Sequence, residues 1–193
     1  MNFQTILNAI TSIVGNNRVA TPGPISVPTG AKYPPRKAEN IIWTPTANIQ
    51  KDPNRIIKYL IIHSTGGTAK SAISWMTNPE AKVSAHYLID KSGTVYQLAD
   101  EKDITWHAGK SQWGADVGLN HISVGVELEN LNDGADTYSN EQICTAVWLS
   151  NAICVRHGIA FENVLRHLDI APGRKFDPVN FPWSDFLDSV RRA

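Results

Sequence analysis

Apolar and polar positions follow two different rhythms along this chain. Residues 3–14 place Phe3, Ile6, Leu7, Ile10, Ile13 and Val14 three and four apart, the single stripe of an amphipathic helix. Such a stripe docks on its own domain, on a partner or on a membrane surface, and the lack of basic residues disfavours the membrane. Gly15 to Pro35 is rich in Pro, Gly, Thr and Asn, which predicts a linker or extended arm. The packed domain is expected to open near Ile41, so that residues 1–40 form an arm and residues 41–193 one domain.

Beyond that boundary short β-branched runs alternate with helical ones. Ile56–Ile62 (IIKYLII) predicts a buried strand ending at His63. Thr68–Met76 puts Ala72, Ile73, Trp75 and Met76 on a helical pattern that Asn78-Pro79 stops. Ser84–Asp90 and Thr94–Leu98 flank Lys91-Ser92-Gly93, a β-hairpin. Across His121–Glu129, Ile122, Val124, Val126 and Leu128 face one way and Ser123, Gly125, Glu127 and Glu129 the other. Ser139 and Gln142 are spaced as a capping box, opening a helix that runs to His157 and closes at Gly158. Val164–Arg166 predicts a short strand before His167, and Ser184–Arg192 a terminal helix whose last arginines suit its dipole. Interleaved strands and helices predict an α/β fold, a single mixed β-sheet flanked by helices.

Composition adds mainly exclusions. Eighteen basic residues balance eighteen acidic ones, so no basic surface is available for nucleic acid. Cys144 and Cys154 lie ten residues apart on one predicted helix, about 15 Å along its axis. That is too far for a disulfide, and both read as small buried hydrophobes. No stretch approaches the ~20 apolar residues of a membrane span. The N-terminus has no basic residue before Arg18 and no early cysteine, unlike a secretory signal. The expectation is a monomer made in the cytoplasm.

Candidate chemistry gathers where strands end. His63 closes an apolar strand and is followed by Ser64, Thr65, Gly66 and Gly67, which leave room for a ligand. His167 follows Val164-Leu165-Arg166 in the same manner, and Asp177 sits in a loop held by Pro172, Gly173 and Pro178. Two neutral imidazoles and a carboxylate, with a fourth position for water, would make an open catalytic zinc site. Spacing alone leaves unrelated loop histidines as the other reading, since His63 stands about a hundred residues from the others. Glu127 shares its face with Gly125 and Ser123, small residues that leave space before its carboxylate. It reads either as a proton shuttle in a partly closed site or as part of a solvated edge-strand face.

Taken together, YLIIHST (59–65), SAHYLIDKSGTVYQL (84–98), WHAG (106–109), ISVGVELEN (122–130) and RHLDIAPGRKFDP (166–178) resemble the type-2 N-acetylmuramoyl-L-alanine amidase family. That family embraces phage amidase-type lysozymes, wall-recycling amidases and peptidoglycan recognition proteins. The five motifs stand in the family's order over roughly residues 41–190. The resemblance implies one zinc ion held by His63, His167 and Asp177, with Glu127 as acid/base and Lys175 stabilising the tetrahedral intermediate. It implies a peptidoglycan or muropeptide substrate, cut between N-acetylmuramic acid and L-alanine, and action on the cell wall as a lysin or turnover enzyme. It also puts His107 and His86 beside the substrate groove, with packing in the hairpin as the other reading, and Trp106, Trp113 and Tyr87 are either sugar-stacking faces or core aromatics. Cytoplasmic recycling of anhydro-muropeptides is the alternative role. Family members that only bind peptidoglycan have lost a zinc ligand, whereas the full set is present here. A stem-peptide zinc peptidase usually carries H-E-x-x-H, which is absent.

Overall fold

The computed structural model describes residues 30–193. The stripe expected over residues 3–14, with most of the Pro/Gly-rich stretch, lies outside the described residues. The elements in chain order are β1 (Ile41–Trp43), β2 (Ile49–Lys51), β3 (Tyr59–Ser64), α1 (Ala69–Thr77), β4 (Tyr87–Ile89), β5 (Val95–Gln97) and β6 (Asp103–Thr105). There follow β7 (Gln112–Trp113), β8 (Asp116–Val117), β9 (Ser123–Leu128), α2 (Asn140–His157), β10 (Val164–Arg166), α3 (His167–Ile170) and α4 (Trp183–Arg192). Six strands make one mixed sheet in the order β1-β5-β4-β9-β3-β10, antiparallel only at the β4–β5 hairpin. This is the mixed sheet with flanking helices that the sequence predicts. Among the described residues no helix is long and apolar enough to cross a membrane.

Register decides what each face carries. β3 pairs with β9 so that Ile61 lies beside Gly125 and His63 beside Glu127, and β10 sets Leu165 beside Ile61. Side chains alternate across a sheet, so the odd-numbered residues of these three strands share one face. The even-numbered set, Leu60, Ile62, Val124, Val126, Leu128 and Val164, packs with Ile143, Val147 and Ile153 of α2 and Phe186 and Val190 of α4. Each fully buried Leu or Ile there contributes about 1.5–3 kcal/mol, which makes this layer the main source of stability. The opposite layer is thinner: Ile61, Leu165, Leu119 and Ile170 form one small cluster, and Leu88, Leu98, Ala69 and Met76 another. The site forms on this thinner side.

Several local expectations are corrected. Ile56 is 72% exposed, and the strand of that run is Tyr59–Ser64, because the ladder with β9 begins at Tyr59 and that with β10 at Leu60. Trp75 faces solvent at 57% exposure, so the buried stripe of α1 is Ala69 and Met76, without the tryptophan. The capping box at α2 is half formed: Ser139 Oγ accepts from Gln142 N, but the Gln142 amide points inward and donates to the Ile89 and Glu129 carbonyls. β9 is an interior strand between β4 and β3, which removes the solvated-edge reading of Glu127. Glu129 is likewise engaged, accepting from Ala69 N at the start of α1 and from Lys91 N. The cysteines are free, Cys154 buried and Cys144 half-buried. Tyr33 and Ala38 already belong to the main core, ahead of the Ile41 at which the domain is expected to open.

Candidate metal centre

The parity of the strands carries directly into the site. His63 is the penultimate residue of β3, Glu127 sits beside it on β9, and His167 is the first residue after β10. All three therefore leave the sheet on the same face, at the carboxyl ends of parallel strands where open α/β sheets bind ligands. Asp177 returns to this point through the loop after α3, where its carbonyl accepts from Leu168 N at 3.0 Å. Ligand atoms of His63, His167 and Asp177 all lie within 4.8 Å of one another, and all three residues are buried. His167 Nδ1 is 3.0 Å from Asp177 Oδ2, and His63 Nδ1 is 3.6 Å from the same oxygen. A tetrahedral ion with bonds of ~2.0–2.2 Å holds its ligands about 3.4 Å apart, so these separations suit one. The trio can hold a metal ion.

Electrostatics point the same way. Burial, reinforced by the neighbouring His167 ring, pushes the His63 imidazole down to about 4, so it stands neutral with a lone pair to give. Burial would raise the Asp177 carboxyl, but the neighbouring His167 and His63 imidazoles together outweigh it and hold the group well below the usual carboxylate range. Glu127 behaves oppositely. Burial, then the proximity of Asp177, raises its carboxyl to about 8, with Lys175 pulling back. Its Oε2 is buried and has no hydrogen-bond partner among the described residues. The carboxyl faces a cavity of about 190 Å³ that Lys175, Asp177, His167, His107, Trp106 and Trp75 also line. The arrangement joins three metal-type donors to a proton-holding acid and a cation in one cleft.

Other sequence candidates separate on burial. His86 is fully buried and away from the cleft: its Nδ1 accepts from Gly125 N and Thr105 Oγ1 at 3.0 Å, and its Nε2 donates to the Asp103 carbonyl at 3.0 Å. The expected groove contact by His86 is therefore replaced by a role in joining β9 to β6. Tyr87 is also buried, its hydroxyl donating to Glu101 at 2.7 Å, and offers no face to a sugar. Trp113 lies on the β7–β8 hairpin and does not line the cleft, whereas Trp106 does. His107 reaches the cleft wall. Trp75 was missed as a site residue because it fits a helical core pattern; only its exposure beside the cleft reveals it.

Comparison with known proteins gives this geometry a family. The family described as N-acetylmuramoyl-L-alanine amidase matches residues 52–180. The chain belongs to the type-2 N-acetylmuramoyl-L-alanine amidase family. It is similar to the N-acetylmuramoyl-L-alanine amidase AmiD of Escherichia coli, 36% identical over 142 residues, covering 66% of this chain and 51% of AmiD. It is also similar to the 1,6-anhydro-N-acetylmuramyl-L-alanine amidase AmpD of Haemophilus influenzae, 33% identical, covering 58% of this chain and 61% of that protein. The matched region thus spans about half the length of AmiD and less than two-thirds of AmpD. Among solved structures, E. coli AmiD in complex with anhydro-N-acetylmuramic acid-L-Ala-D-γ-Glu-L-Lys superposes with a TM-score of 0.64 at 33% identity, over 72% of this chain and 60% of that one.

Proposed function

We propose that this protein is a zinc-dependent amidase that hydrolyses the bond between N-acetylmuramic acid and L-alanine in peptidoglycan or its fragments. The observation that carries the reading is the unpartnered, buried Glu127 Oε2 beside the His63–His167–Asp177 donors. A fold seldom leaves a buried acid without a partner, since that costs about 1–3 kcal/mol, unless the group has work to do in a ligand's presence. Two imidazoles and one carboxylate match the ligand chemistry of open catalytic zinc sites. Zinc at such a site acidifies water and polarises an amide carbonyl.

The chain's own residues then divide the labour. Glu127 exchanges one proton: as the carboxylate it accepts from the attacking water, and as the acid so formed it gives to the departing alanine nitrogen, a pKa raised by burial to about 8 suiting both directions near neutral pH. Lys175 presents a cation on the same cleft, where negative charge builds on the carbonyl oxygen; one such donor is commonly worth ~3–4 kcal/mol. Trp75 and Trp106 give the cleft apolar walls suited to the face of a sugar ring. The relatives' names and the bound ligand of the AmiD structure support the muramoyl substrate class.

Degradation of intact wall, by a lysin or turnover enzyme, is the role we favour; recycling of soluble anhydro-muropeptides uses the same chemistry. Digestion of intact sacculi and of purified anhydro-muropeptides in parallel, followed by mass spectrometry, tests both. Free stem peptides beginning with L-alanine are the expected product. Cleavage inside the stem, or none with zinc supplied, defeats the reading. Release from sacculi assigns wall degradation, and activity confined to the soluble fragments assigns recycling.

A further inference from the structure

His107 borders the cleft, yet both its ring nitrogens are engaged within the protein. Nδ1 stands 2.9 Å from His63 Nε2, and Nε2 stands 3.2 Å from Ser123 Oγ. Ser123 Oγ in turn lies 2.6 Å from the Leu119 carbonyl. Proton positions along this line follow from its far end. A carbonyl only accepts, so the single Ser123 hydroxyl proton goes to Leu119. Ser123 Oγ must therefore accept from His107 Nε2–H, which leaves His107 Nδ1 as the acceptor in a neutral ring. His63 Nε2 then has to donate, and the lone pair of His63 is left on Nδ1. That atom faces Asp177 Oδ2 at 3.6 Å, beyond hydrogen-bond reach, so two electron-rich atoms confront each other across a space suited to a cation.

The fold supports this line at each joint. The His107 ring packs so closely on β9 that a Cβ at Gly125 would lie 2.5 Å from it. The loop bearing His107 is fastened by Asn120 Oδ1, which accepts from His107 N at 3.1 Å and Ala108 N at 2.7 Å. The next carbonyl, Ala108 O, stands 3.4 Å from His167 Nε2. One loop thus backs both imidazoles of the trio on the side away from Asp177.

We infer that His107 is a positioning residue for the metal centre, whose Nδ1 fixes His63 in the Nε2–H tautomer with Nδ1 aimed at the ion. The inference rests on the proposed zinc site. Outer partners of this kind commonly tune metal affinity by about 10–100-fold. It replaces a direct hydrogen bond from His107 to substrate, for which no ring nitrogen is left.

The test uses the full chain and zinc itself. Zinc affinity is measured by chelator competition for wild type, His107→Phe and His107→Asn, and the His63 tautomer by ¹⁵N NMR. Phe keeps a ring but removes the acceptor; Asn sets Oδ1 near the former Nδ1. His107→Phe should bind zinc about 10–100-fold more weakly, with His107→Asn recovering most of the loss. Metal-free wild type should show His63 protonated on Nε2. An Nδ1–H tautomer overturns the inference, as does His107→Phe binding within roughly twofold of wild type or His107→Asn no better than His107→Phe. If the His107 variants do not fold, Ser123→Ala, which removes the acceptor for His107 Nε2–H, must still weaken zinc several-fold; unchanged affinity overturns the inference. Wild type that takes up no zinc sinks the zinc reading and this inference together, whereas normal wild-type uptake with unaltered variants sinks this inference alone.

Discussion

At the scale of single residues the proposed function separates holding a metal from moving a proton. Glu127→Gln keeps shape and removes the exchangeable proton, so the variant should fold, retain zinc and lose about 10²–10⁴-fold in turnover. Zinc content and muropeptide hydrolysis on the same preparation check this; zinc lost with the activity would make Glu127 a ligand instead. Asp177 predicts the converse. Asp177→Ala should shed zinc sharply, while Asp177→Cys should keep it, thiolate being a good ligand at ~2.3 Å. The thiolate donates more charge, so turnover in Asp177→Cys should fall and its pH optimum rise; normal zinc and rate in Asp177→Ala would remove the aspartate from the site. His63 and His167 were legible as candidates because they follow apolar strand segments, but their grouping with Asp177, Glu127 and Lys175 came from the family resemblance and not from spacing. Burial was not legible: His86 and His107 look alike in sequence, and only packing shows that one bridges strands while the other meets His63.

At the scale of elements, alternation along His121–Glu129 revealed which residues share a face but not that β9 is interior, since neighbours in a sheet come from distant segments. The same limit hid the partner of Glu101. This buried carboxylate joins the β-layer to the end of α2: it accepts from Tyr87 Oη at 2.7 Å, from Arg156 Nε at 2.9 Å and Nη2 at 3.0 Å, and pairs with His157 Nε2. Burial works to raise its pKa, but the hydrogen bonds of Arg156, His157 and Tyr87 prevail and lower it from the ordinary 4.5. For a depressed carboxyl the stabilising contribution is complete above the unfolded value and disappears as pH falls through the folded one. Wild type should therefore exceed Glu101→Gln in unfolding free energy by a steady margin from pH 7 to about 5, narrowing below the unfolded value near 4.5. Urea unfolding of both proteins along that pH series is the measurement. A margin that grows towards acid would mean the carboxyl is held neutral and the cluster has been misread.

At the scale of the whole molecule the open question is where the cooperative unit begins. Composition alone drew the boundary at Ile41, because Gly, Pro and Thr signal a linker whatever the chain then packs against. The described chain attaches earlier: Tyr33 is buried in the main core, its amide donating to Ser189 Oγ of α4 at 3.2 Å, and Arg36 N donates to the Cys144 carbonyl of α2 at 3.0 Å. Lys32 also pairs with Asp185 at 2.7 Å, but both groups are exposed and such a pair adds little. Two truncations separate these contributions. Removing residues 1–29 spares every contact just named, so zinc content, melting temperature and hydrolysis of soluble muropeptides should match the full chain. Removing residues 1–40 also strips Tyr33 and Ala38 from the layer under α2 and α4. By analogy with large-to-small core replacements that costs about 2–5 kcal/mol, a fall of roughly 5–15 °C in melting temperature for a domain of this size. Zinc affinity should change far less than stability, since the lost contacts lie on the opposite side of the sheet from His63 and Glu127. Should the 1–29 truncation fail to fold, the first segment belongs to the cooperative unit; should the 1–40 truncation melt with the full chain, the Tyr33 anchor adds nothing and the domain does open at Ile41.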